Sequence, residues 1–130
     1  DFDRLHKSGE MALFISATNV HTGKVKVFKG AEVTVDSVMA SACLPHLFQA
    51  VVIDDVPYWD GGFAGNPVLF PFHNACATSD LLLIQTNPIA RHSTPNSARE
   101  ILDRMNEISF NSALLHELRA IAIARCACTG

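Results

Sequence analysis

The chain has 130 residues, a length for one domain, with 48% hydrophobic and 18% charged residues. That balance is globular rather than disordered, and a net charge of −3 with six histidines counted as neutral argues against nucleic acid as a partner. No apolar run reaches the roughly 18–20 residues of a membrane span; Asp1-Phe2-Asp3-Arg4 is no signal peptide and has no initiating methionine, so the chain reads as a fragment or a processed piece.

Met11 to Asn19 is an apolar, β-branched run that reads as a buried strand. A turn at His21-Thr22-Gly23-Lys24 follows. Val25, Val27 and Phe28 then interleave with Lys24, Lys26 and Lys29, which predicts a half-exposed second strand near a sheet edge. The lysines are read as a solvated strand face in preference to a membrane-facing patch. Thr34 opens a helix in which Val35, Val38, Met39 and Ala42 recur at helical spacing and Asp36 sits in the first turn. Pro45 forces its end, and the small residues Ala40, Ser41 and Ala42 allow close approach to a neighbour.

Ala50–Ile53 and Val56–Trp59 predict a second strand pair turning at Asp54-Asp55, with Pro57 placing the later strand at an edge or at a strand start. Asp60-Gly61-Gly62 follows as a turn. Asn66 has an amide able to tie that loop to nearby backbone, Pro67 stiffens it, and Val68 to Phe72 leads into a short helix or loop. Leu81 to Gln85 is continuously apolar, the pattern of a strand buried on both faces of a parallel sheet. Asn87 to Pro95 reads as loop. Thr94-Pro95 has the chemistry of an N-cap and first helical position. Beyond it Ile101, Leu102, Met105, Ile108, Leu115, Leu118 and Ile121 give an apolar stripe over about seven turns. Asp103, Arg104, Glu107, Glu117 and Arg119 occupy the other face, with Glu100 and Arg104 at pairing distance. That helix is expected to dock a further segment or a second copy. The closing Ala-Arg-Cys-Ala-Cys-Thr-Gly does not continue its pattern.

The cysteines, at 43, 76, 126 and 128, have no disulfide-framework spacing and suggest a reducing compartment. Cys126-x-Cys128 lacks the second ligand pair of a zinc site, so no metal is assigned. Cys43 reads as a small buried hydrophobe rather than as a thiol activated by His46. Asp54 and Asp55 read as a hairpin turn, since neighbouring strand residues point apart.

One carboxylate stands out. Tyr58-Trp59-Asp60-Gly61-Gly62 delivers an acid to a strand end and follows it with two glycines, which lets another group come close. Upstream, Ala40-Ser41-Ala42-x-x-Pro45-x-x-Phe48 precedes the strand pair, and Asn66-Pro67-Val68 follows it. This spaced string, from about Met11 to Val68, resembles the carboxy-terminal half of the patatin-like phospholipase family. The resemblance implies an α/β fold, part of a three-layer α/β/α sandwich with a mostly parallel central sheet, and makes residues 1–130 the carboxy-terminal portion of a single such domain. It implies a lipid acyl hydrolase, an esterase or phospholipase, using a Ser–Asp dyad without histidine, metal or organic cofactor. Asp60 is then the catalytic acid-base, and Gly61, Gly62, Asn66 and Pro67 form its supporting loop. Phe48 and Phe63 are candidate acyl-pocket walls, with Leu44, Leu47, Leu69, Phe70 and Phe72 as core.

No Gly-x-Ser-x-Gly elbow or glycine-rich oxyanion loop is present in the chain. The resemblance places both upstream of Asp1, so the 130 residues alone are expected to be inactive. The expected partners are an acyl-ester or lipid substrate, the missing amino-terminal part of the same protein, a transient membrane surface and a second copy, with no nucleic acid. The expected location is cytoplasmic or peripheral to a membrane. The alternative reading is a catalytically inactive interaction or scaffold module on the same fold.

Overall fold

The structure, a computed structural model, describes residues 2–8, 11–72 and 80–127. A short helix, α1 (Phe2–Ser8), precedes a hairpin of β1 (Phe14–Asn19) and β2 (Val25–Lys29). A 3-10 turn, Gly30–Glu32, leads to α2 (Val35–Ser41), then to a second hairpin of β3 (Val51–Ile53) and β4 (Val56–Asp60). A further 3-10 turn, Gly61–Phe63, closes β4, and the long helix α3 spans Ala98–Ala127. The strands form one sheet in the order β2-β1-β4-β3, every neighbouring pair antiparallel.

Both hairpins follow from local chemistry. Asp54 and Asp55 take φ of 49° and 61°, the left-handed pair that a two-residue turn between twisted strands requires and that aspartate tolerates. In the first hairpin the Asn19 carboxamide oxygen accepts from the backbone N–H groups of His21 and Thr22, and Gly23 takes φ of 68°. Pro57 lies at the start of β4, its carbonyl accepting from Val20 N at 3.0 Å. The missing N–H thus falls just past the end of β1, and the strand it opens is interior; β2 and β3 are the edges.

The expected three-layer sandwich with a mostly parallel sheet is not what forms. Strands joined by tight turns pair antiparallel, because a parallel pairing needs a crossover of a dozen or more residues. The segment that was to supply a buried parallel strand, Leu81–Gln85, is extended and exposed, with Leu82 at 87% and Ile84 at 81%. Among the described residues no strand lies beside it, and a lone strand leaves its backbone groups unpaired. β1 is also shorter than expected: it begins at Phe14, and Met11 is exposed.

The core sits between α2 and one sheet face, where Ala17, Phe28, Ala40 and Tyr58 are buried against Ile15, Val51, Ile53 and Val56. Rings from β2 and β4, Phe28 and Tyr58, meet edge-on at 5.4 Å across β1, and Ala17 and Ala40, both fully buried, let helix and sheet close up. Thr34 caps α2 as expected. It shares a reciprocal box with Ser37, whose fully satisfied hydroxyl can be buried. The helix therefore packs through Ser37 and Ala40. Val35, Val38 and Met39, the expected apolar stripe, point outward, and Ala42 is exposed.

The long helix is turned the same way. It starts at Ala98, capped not by Thr94-Pro95 but by Ser97. The Ser97 hydroxyl accepts from Glu100 N at 3.3 Å while the Glu100 carboxylate accepts from Ser97 N and Asn96 N. Glu100 is thereby engaged, and Arg104 pairs instead with Glu107 at 3.0 Å. Glu107, Asn111 and Leu114 are the buried positions, while Ile101, Leu102, Met105, Ile108 and Leu115 are exposed. The helix runs on through Ala127, past the point where the sequence pattern stops. Among the described residues no helix is long and apolar enough to cross a membrane.

Candidate functional site

Asp60 is the last residue of β4, opposite Ala17 of β1, and its backbone is fixed from both sides. Its N–H donates to the Cys43 carbonyl at 2.8 Å, so the turn that ends α2 braces it. Its carbonyl accepts from the Thr18 hydroxyl at 2.7 Å. Its side chain caps the Gly61–Phe63 turn, Oδ1 accepting from Gly62 N at 2.7 Å. Oδ2 takes no hydrogen bond from the described residues. Burial pushes the carboxyl above the ordinary aspartate value, and the Gly62 N–H partly opposes that shift. A carboxylate so held, with one oxygen engaged and a raised proton affinity, has the chemistry of a general base.

The glycines admit the close approach expected of them, but of neighbouring protein and without positive φ. Neither Gly61 nor Gly62 has positive φ; Gly23 and Gly30 do. A Cβ on Gly61 would lie 2.2 Å from the Ser16 carbonyl oxygen and 2.5 Å from its hydroxyl, and one on Gly62 would lie 3.1 Å from the Phe110 ring. The space they leave is filled by β1 and α3, not kept open for a substrate. They fasten the Asp60 turn between sheet and helix, and Phe63 completes the fastening by meeting Phe110 edge-on at 5.0 Å.

A cavity of about 370 Å³ opens beside Asp60, within the size range of small-molecule sites. Ser16, Ser41, Asp60 and Asn66 supply its polar groups; Phe14, Val27, Val68 and Phe72 are among its apolar walls. Asn66 and Pro67, joined by a cis peptide, line it together with Gly61 and Gly62. The Asn66 amide ties no backbone among the described residues. The two predicted acyl-pocket residues do not line the cavity. Phe48 is 62% exposed on the loop after α2, and Phe63 faces α3. Phe72, expected in the core, is on the cavity wall, whereas Leu69 is buried.

Cys43 is buried as expected, its thiol donating to the Gln49 carbonyl at 3.1 Å, and His46 is exposed. Cys76 and Cys128 lie outside the described residues, as does the side chain of Cys126. The residues that sequence reasoning missed are Thr18, Ser16, Phe14 and Val27. Thr18, Ser16 and Phe14 alternate along one face of β1, and that period was the available signal. No family model matches the chain, and no curated protein matches it.

Proposed function

We propose that this chain supplies the aspartate of a Ser–Asp pair in a hydrolase of acyl esters, a lipid or phospholipid among them, in the manner of the patatin-like family that its motifs resemble. One observation carries the reading: Asp60 stands on the wall of a cavity with mixed polar and apolar lining, with one carboxylate oxygen fixed by Gly62 N and its proton affinity raised by burial. A serine and an oxyanion-binding loop come from a segment outside these 130 residues. Asp60 takes the serine proton as the hydroxyl oxygen attacks the ester carbonyl and returns it to the departing alcohol. The acyl-enzyme is then released by water, activated by the same carboxylate. An insoluble acyl substrate favours transient contact of the complete protein with a membrane surface.

The test is ester hydrolysis by the full-length protein and its Asp60→Asn variant. The expected result is a loss of about a hundred- to ten-thousand-fold in turnover, the contribution of a positioned general base. Near-normal turnover by the variant removes the assignment. A second reading, an inactive interaction module, is favoured by the outward apolar stripe on α3. It takes precedence if the full-length protein with Asp60 intact hydrolyses no ester.

A further inference from the structure

β1 outruns β4 at one end. β4 leaves the sheet at Asp60, opposite Ala17, whereas β1 continues to Phe14, opposite Lys29 of β2. Residues 14–16 of β1 therefore have a strand partner on one side only. The other side is the cavity, bounded by the Gly61–Gly62 turn and by residues 65–68 and 71–72. Polarity changes along this gap. At the Asp60 end stand the carboxylate and the Ser16 hydroxyl. Phe14 lies three residues beyond Ala17, about 10 Å farther along the strand. There its ring meets Phe72 edge-on at 5.4 Å. Such a pair is held by both packing and ring electrostatics, so a chain entering from Asp60 meets a stiff wall.

We propose that the Phe14–Phe72 ring pair is the end wall of an acyl-chain subsite and limits the length of acyl chain the site accepts, favouring medium over long chains. This rests on the hydrolase reading of Asp60. Apolar sites discriminate by size at about tenfold or more per methylene that does not fit, so a chain that must displace the pair is strongly disfavoured.

The full-length protein is assayed on p-nitrophenyl butyrate, octanoate and palmitate, comparing kcat/KM. The wild type is expected to prefer octanoate to palmitate. Phe72→Ala opens the wall and raises the palmitate-to-octanoate ratio at least tenfold. Val27→Phe adds bulk to the cavity lining from the β2 side, beside Ser16 and short of Phe14, on an edge strand that accepts aromatics, and shifts preference towards butyrate. Loss of stability lowers all three rates together and produces neither shift, and Val27→Phe tests the assignment even where Phe72→Ala fails to fold. Unchanged ratios in an active variant, with turnover abolished by Asp60→Asn, overturn the chain-length assignment alone. Turnover that survives Asp60→Asn, or no ester turnover in the wild type, overturns the hydrolase reading and this inference with it.

Discussion

Asp60 is anchored through its N–H, its carbonyl and one carboxylate oxygen, so its geometry does not depend on its charge, but its energy does. Because burial raises its pKa above the ordinary value of 3.8, the folded state holds the proton more tightly than the unfolded chain does. The contribution to stability is fully present below pH 3.8 and is lost as pH rises through the raised folded value. Asp60→Asn is neutral throughout and keeps an oxygen for Gly62 N. The variant should therefore melt no lower than the wild type at pH 7, with the difference vanishing in acid, as thermal melts across pH will show. Gly61 offers a contrast. Gly61→Ala drives a Cβ into β1 backbone and should cost about 1–3 kcal/mol or more in urea unfolding. Gly23→Ala meets open space and bears only the left-handed strain of about 1 kcal/mol. Asp60 was legible because strand, acid and glycines are contiguous in the sequence. The period of β1 gave the face Thr18 shares with Ser16, but not its bond to Asp60, 42 residues away, since that depends on a register between β1 and β4 that no local pattern specifies.

The inward face of α3 carries Phe110 and Leu114 and, beside them, polar groups that clip the 85–91 segment in place. Glu107 accepts from Arg91 at 2.6 Å and from Arg104 at 3.0 Å. Arg104 also donates to the Pro88 and Ile89 carbonyls, and Asn111 bridges Gln85 and Pro88. The Arg91 hydrogen bond, with Arg104 adding to it, holds the Glu107 pKa below the ordinary 4.5. The clip's contribution is therefore present above pH 4.5 and is lost as pH falls through the depressed folded value. Glu107→Gln should lower the backbone order parameters of residues 85–91 at neutral pH, as NMR relaxation will show, while leaving the β1–β2 hairpin rigid. Acidification of the wild type should reproduce that pattern, and order falling equally in both places would show that the clip is not local. The hairpins and the Thr34 cap were legible because each rests on residues within a few positions. The Ser97–Glu100 box was equally local, yet Thr94-Pro95 competed with it under the same rules. The stripe on α3 was read as a surface that docks a further segment or a second copy, and it is exposed among the described residues: periodicity says which residues share a face, not which partner covers it.

At the scale of the whole molecule the same difficulty decides the chain's behaviour. The buried core is a few residues between α2 and one sheet face. Outward faces on α2 (Val35, Val38, Met39), the following loop (Leu47, Phe48), residues 81–84 and α3 carry large apolar side chains into solvent. Soluble monomers rarely show contiguous apolar patches beyond a few hundred Å², and exposed Met105 (59%) and Ile108 (54%) sit one turn apart on α3. The expectation of a parallel sandwich failed for a related reason: Leu81–Gln85 has the composition of a doubly covered strand, but the described residues offer it neither a neighbouring strand nor a covering layer. The 130 residues produced alone should therefore bind a dye such as ANS and associate with rising concentration. Paired charges of opposite sign, Leu102→Glu with Met105→Lys, should lower both without loosening the Gln85–Asn111 or Arg91–Glu107 contacts, which lie on the other face of the helix. Light scattering and dye fluorescence on the two chains separate the cases. Association and dye binding that persist unchanged in the double variant would place the adhesive surface elsewhere, at the α2 face or at residues 81–84. Loss of both would identify the outward stripe of α3 as the surface that drives association.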